Sequence, residues 1–149
     1  LEIAIFRSRK SSPVSVVRRY ISALNTRNYE DIAAILAENC RFVDSTGGWV
    51  EGRENALVAT RAFFDMDADF QIDEQDIVLR GDEVLVRGKA RASNPQLATD
   101  KLWRARVDAG KLAFWQSYGA EAMPLARMLL PEKAGISFNL DAPGSRTSA

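Results

Sequence analysis

Apolar residues recur along this chain with two periods, and the change from one to the other falls near its middle. Val14, Val17, Ile21 and Leu24 follow at three- and four-residue spacing, which lays one face of an α-helix against a core. Ser11-Ser12-Pro13 supplies a start, with a hydroxyl to cap and a proline suited to the first turn. Arg18, Arg19 and Ser22 fall on the wet side, and Tyr20 flanks the buried stripe. Asn25-Thr26-Arg27-Asn28 interrupts the pattern. A shorter helix is predicted next, with Tyr29, Ile32, Ile35 and Leu36 on one face and Asn39 at its end. Cys40 to Asp44 reads as a short apolar strand, followed at once by the turn Ser45-Thr46-Gly47-Gly48. After Trp49-Val50 and Glu51-Gly52-Arg53, a third helix is predicted to about Phe64, with Leu57, Thr60 and Phe64 on one side.

Asp65 to Asp76 holds six carboxylates and no base. It lacks the order of a calcium loop, with its central Gly and terminal Glu, and reads as a solvated connector into a strand. From there the period is two. Asp76 to Leu79 meets the turn Arg80-Gly81-Asp82-Glu83. Along Val84 to Ala92, Val84, Val86, Gly88, Ala90 and Ala92 face one way, and Leu85, Arg87, Lys89 and Arg91 the other. Lys101 to Val107 alternates again, with Trp103, Ala105 and Val107 against Leu102, Arg104 and Arg106; Asp108-Ala109-Gly110 turns the chain into a last strand, Lys111 to Tyr118. Helices followed by an antiparallel meander predict an α+β domain with the helices on one sheet face. That domain spans 13–119, between an N-terminal extension (1–12) and a C-terminal one (120–149). The latter holds an apolar turn from Met123 to Leu130, then Pro/Gly/Ser-rich sequence expected to be partly disordered.

The small residues Gly88, Ala90 and Ala92 leave room where a closed core would want Leu or Ile. A curved sheet could hold a pocket there, bounded by Phe42, Trp49, Phe64, Ala90, Trp103 and Trp115; the alternative is that helix side chains fill the space. A carboxylate on the inward register of a strand end is costly to bury, so Asp44 is the leading candidate for chemistry. The competing role for it is to start an Asx-type turn into Ser45-Thr46-Gly47. Tyr20 reads either as a core aromatic or as a hydroxyl facing the same hollow, and Cys40, on the inward register, as inert packing.

Composition narrows the chemistry further. The chain has 149 residues, 46% of them hydrophobic, enough for one domain with a real core. Twenty basic and twenty acidic residues cancel, so no global attraction to nucleic acid or anionic membrane is expected. One cysteine excludes an internal disulfide and fits the cytoplasm. No apolar run approaches the ~20 residues of a membrane span, and Leu1 to Lys10 are too short and charged for a signal peptide. Histidine is absent, which removes Ser-His-Asp and Cys-His machinery and His-based metal sites together. Acid–base work falls to a carboxylate, Lys, Tyr or Cys, and neither metal nor cofactor is expected. Arg87, Lys89, Arg91, Arg104 and Arg106, interleaved with Leu85, Leu102 and Phe114, form a basic outer sheet face. With no net charge, a second copy of the chain is the expected partner there rather than nucleic acid.

Val17-Arg18-Arg19-Tyr20-Ile21, the run Tyr29 to Asn39, Phe42-Val43-Asp44, Glu51-Gly52-Arg53-Glu54-Asn55 and the Asp108 to Leu112 hairpin occur in an order that resembles the NTF2-like superfamily. Within it the likeness is to the SnoaL-like, ketosteroid-isomerase-like branch, over about Pro13 to Tyr118. The resemblance implies a cone, a curved and mostly antiparallel sheet wrapped around N-terminal helices, and homodimers formed through the sheet. It also implies an isomerase, lyase or cyclase without cofactor, acting on a small apolar carbonyl compound. Asp44 matches the family's base and Tyr20 its oxyanion donor. The family's second donor, an acid, falls at or near Trp103, with Lys101 or Asp100 for a slip of two or three residues, so another proton transfer, cyclisation or dehydration is expected rather than steroid isomerisation. The epoxide-hydrolase branch needs a pocket Arg between two acids, whereas Arg104 and Arg106 alternate outward. The alternative from another class is a non-catalytic ligand-binding or dimerisation module.

Overall fold

A computed structural model describes residues 12–136; the expectations for 1–11 and for 137–149 lie outside the described residues. Helix α1 spans Pro13–Asn25, with the Ser12 side chain accepting the N–H of Ser15 at its start. Helix α2 spans Tyr29–Ile35, where Asn28 caps the N–H of Asp31 and two acids occupy the first turn. The sequence pattern carries this helix to Asn39, but it stops four residues earlier. Leu36 already takes extended dihedrals (φ −72°, ψ 137°) and opens strand β1, Leu36–Val43, with no intervening loop. The reason is tertiary: Leu36 pairs with Leu112, and the ladder outweighs the helix propensity of Ala37-Glu38-Asn39.

Strand β2 (Gly48–Glu51) returns antiparallel to β1, and helix α3 (Arg53–Met66) follows Gly52, whose φ of +96° suits glycine. Helix α3 ends at Asp67, whose carboxylate accepts the N–H groups of Asp69, Ser93 and Asn94. Part of the acidic connector is thus a buried tie and not solvated. Strands β3 (Gln71–Arg80), β4 (Glu83–Arg91), β5 (Asp100–Asp108) and β6 (Lys111–Tyr118) form the expected meander. Ala109 and Gly110 both have positive φ at the β5–β6 turn, as a tight type I′ hairpin requires. A short helix α4 (Leu125–Leu129) and strand β7 (Gly135–Ile136) complete the described chain.

The sheet has seven strands in the order β3-β4-β5-β6-β1-β2-β7, antiparallel except where β1 runs parallel to β6. It curves around the helices as an unclosed cone. Val17, Tyr20, Ile21 and Leu24 of α1 pack on Val84, Val86, Trp103, Ala105 and Trp115 in the main core. The small residues of β4 serve that packing. A Cβ on Gly88 would lie 2.2 Å from the backbone oxygen of Asp73, so glycine there admits β3 at the bulge between Glu74 and Asp76.

Candidate active site

The cone holds a cavity of about 150 Å³, comparable to one that accommodates a single six-membered ring. Its body is aromatic: Phe42, Phe63, Phe64, Phe70, Trp103 and Trp115 line it. Trp103 and Trp115 stack with ring centroids 6.1 Å apart. They come from neighbouring strands at inward positions, as the alternation along β5 and β6 requires.

Tyr20 reaches this cavity from the middle of α1 and is 2% exposed. Its ring meets Trp115 edge-on at 4.9 Å and Phe42 at 5.9 Å. Among the described residues no group hydrogen-bonds its hydroxyl. Burial, with the nearby Cys40 adding, holds its pKa well above the ordinary tyrosine value. The phenol therefore stays a neutral O–H donor throughout the physiological range.

Asp44 lines the same cavity and is 7% exposed. Its Oδ1 accepts the N–H of Thr46 at 2.8 Å, the hydroxyl of Thr46 at 2.8 Å and the N–H of Gly48 at 3.0 Å. Its Oδ2 accepts the N–H of Ala126 at 2.7 Å. The Asx-type turn read from the sequence is thus formed, and one carboxylate ties it to the first turn of α4. Oδ2, with a single donor, is the oxygen with more capacity left for a ligand.

The polar end of the cavity is completed by Lys101, which the resemblance named only for a two-residue slip, and by Glu121, Ser45 and Ser117, to which the sequence assigned no chemistry. Lys101, inward on β5 two residues before Trp103, forms an ion pair with Glu121; the two side chains are 3% and 1% exposed. Glu121 Oε2 also accepts the hydroxyl of Ser45 at 2.9 Å, and Ser45 in turn lies 3.4 Å from the hydroxyl of Ser117. Glu121 Oε1 is buried without a partner among the described residues. The strand alternation puts Lys101 on the inner face, so its place was legible; nothing periodic marks Glu121.

The structure brings Tyr20, Phe42, Asp44, Phe64, Trp103 and Trp115 together, and places two expected pocket residues elsewhere. Trp49 does not line the cavity. Its neighbour Val50 faces inward on β2, so Trp49 faces the other way, under the guanidinium of Arg41 (4.1 Å) and against Gly135. Ala90 is 1% exposed but belongs to the packed core, where it pairs with Ile72. The small β4 residues are not in the lining, although Ile72 and Lys101, which pair with Ala90 and Gly88, are. Arg104 and Arg106 stand on the outer face beside Phe114, outside the cavity. Among the described residues no helix is long and apolar enough to cross a membrane.

A helix-filled, half-open cone with a polar-ended apolar cavity defines the NTF2-like class of α+β proteins. Residues 17–115 match the family model of the SnoaL-like domain, and the chain belongs to that family. Solved structures share the fold at low identity. A candidate polyketide cyclase from Sinorhizobium meliloti is 17% identical over 69% of this chain and 93% of its own, with a TM-score of 0.65. A protein with a ketosteroid isomerase-like fold from Catenulispora acidiphila, in complex with trimethylamine, is 16% identical over 82% of this chain and 94% of its own, with a TM-score of 0.65. An epoxide hydrolase from M. tuberculosis is 17% identical over 70% of this chain and 80% of its own, with a TM-score of 0.60. No curated protein matches the chain. The family match ends before Glu121 and α4, so the segment that closes the polar end lies outside it.

Proposed function

We propose that this protein is a cofactor-independent enzyme of isomerase, lyase or cyclase type that moves a proton on a small, largely apolar carbonyl compound held in the cone. The observation that carries this reading is that the Tyr20 phenol and the Asp44 carboxylate line one aromatic cavity. Tyr20 donates a hydrogen bond to the substrate carbonyl oxygen. That bond strengthens as a proton leaves the neighbouring carbon and charge develops on the oxygen, and apolar walls make the donor more effective than it is in water. Asp44 receives the proton through Oδ2 and returns it to another carbon, so the reaction closes without any redox change. The names of two structural neighbours, a cyclase and an epoxide hydrolase, agree with a small-molecule enzyme.

The hydrogen bonds already accepted by Asp44 favour a second reading, a binding module in which this residue only fastens the turn to α4. Proton exchange separates the two. Ring ketones such as cyclohexanone, incubated with the protein in D2O, are expected to exchange their α-protons faster than in buffer, as followed by NMR. Tyr20→Phe should slow that exchange by roughly 10²-fold, the usual loss for one oxyanion donor. Because the hydroxyl has no hydrogen-bond partner among the described residues, this variant should unfold within about 0.5 kcal/mol of the wild type. Binding of ring ketones with no exchange above buffer would favour the binding module.

A further inference from the structure

Glu121 has one oxygen committed and one idle. Oε2 takes both Lys101 and the Ser45 hydroxyl, while Oε1 is buried with no partner among the described residues. Leaving a buried acceptor unmatched is costly, and a ligand that supplies a donor recovers that cost. The pair is seated closely: a Cβ on Gly119 would fall 2.2 Å from Glu121 Oε1 and 2.9 Å from Lys101 Nζ. Both residues line the cavity, whose lining is otherwise mostly aromatic and aliphatic.

The charges nearby say what kind of donor fits. Lys101 and Glu121 cancel one another, and the charge of Asp44 is met by the N–H groups of Thr46, Gly48 and Ala126 and the hydroxyl of Thr46. A cationic ligand would therefore lose its water shell without finding a free counter-charge, and an anionic one would meet two carboxylates. A neutral hydroxyl needs neither. The cavity volume, about 150 Å³, limits the rest of the molecule to about one ring.

We propose that Glu121, carried in by the C-terminal segment beyond the family match, is a specificity-determining residue that accepts a hydrogen bond from a hydroxyl of a neutral, single-ring ligand. This rests on the reading of the cone as a small-molecule site and narrows its substrates to hydroxylated ring compounds. Glu121 selects by difference: a ligand of the same shape without the hydroxyl leaves Oε1 unmatched.

Cyclohexanol and methylcyclohexane form a matched pair of probes, equal in shape and different by that one group. Their dissociation constants are measured by the fluorescence of the cavity tryptophans, and the quantity read is the ratio between the two. Lys101→Met/Glu121→Leu removes the ion pair together, so no charge is left buried alone. The ratio is expected to move by about tenfold or more towards methylcyclohexane in that variant. Lys101→Met/Glu121→Gln, which keeps a side-chain oxygen, should recover part of the preference. A ratio unchanged between the wild type and the first variant, with both probes bound, would overturn the role of Glu121 and leave the cavity reading standing. Failure of the wild type to bind either probe would overturn both.

Discussion

Asp44 Oδ2 accepts the backbone N–H of Ala126 at 2.7 Å, joining residues 82 positions apart in the chain. The contact links the end of β1 to the first turn of α4, and with it the residue at the centre of the proposed chemistry to the segment that closes the cavity. The partner of Ala126 N–H is an acceptor with no hydrogen to offer, and this fixes what a substitution does. Asp44→Asn is nearly isosteric, yet if its oxygen keeps the three donors on the Oδ1 side, its NH2 group faces the N–H of Ala126. Two donors then oppose one another in a buried site.

The expected outcome for Asp44→Asn is a loss of stability of about 1–3 kcal/mol, the range for an unmatched buried polar group. Urea unfolding of the variant beside the wild type measures it. A midpoint unchanged within error would mean that Ala126 finds another acceptor and that the tie does not hold α4. The same effect makes this variant a poor test of catalysis by itself, and Tyr20→Phe the better one.

Cys40 is fully buried, and burial pushes its thiol up to about 11, against a backbone hydrogen bond and Arg53 that pull it down. Only the thiolate reacts with alkylating agents. At pH 8, reaction of the folded protein with iodoacetamide is expected to be at least about 100-fold slower than that of the urea-unfolded chain, from the difference in thiolate fraction. Equal rates would show a thiol open to solvent and contradict the packing of β1 against α1.

Asp67 predicts a pH dependence. Burial raises its pKa, but hydrogen bonds from the N–H groups of Asn94, Ser93 and Asp69 and the charge of Arg27 outweigh it, so the net direction is down from the usual 3.8. A group whose folded pKa is lowered contributes stability that is present above its unfolded value and lost as the pH falls through its folded one. The advantage of the wild type over Asp67→Asn in urea is therefore expected to be full at pH 7 and to shrink below about pH 4. An advantage that stayed constant from pH 7 down to pH 2.5 would show that the tie does not depend on ionisation.

The elements were legible where one local rule dominated. Ser12 and Pro13 start α1, the alternation of Trp103, Ala105, Arg104 and Arg106 sets the faces of β5, and Ala109-Gly110 turns the last hairpin. The reading failed where two rules met. Ala37-Glu38-Asn39 suits a helix, yet it lies in β1 between Leu36, which pairs with Leu112 on β6, 76 residues further along, and Arg41, which pairs with Phe114 after a register shift. Trp49 looked like a pocket residue by type, but its register beside Val50 sends it to the opposite face.

The order of residues by itself determined the helices followed by a meander, the phenol on the first helix and the carboxylate at the head of a Gly-containing turn, because period, capping and turn chemistry act over a few positions. Beyond the local turn at Asp44, tertiary structure alone decided what those groups meet. The C-terminal partners of Asp44, Lys101 and Ser45 arrive from a segment with no periodic signal, as Ala126 and Glu121. Such contacts depend on where the folded backbone ends up in space, and a buried acceptor takes whichever donor is brought within reach.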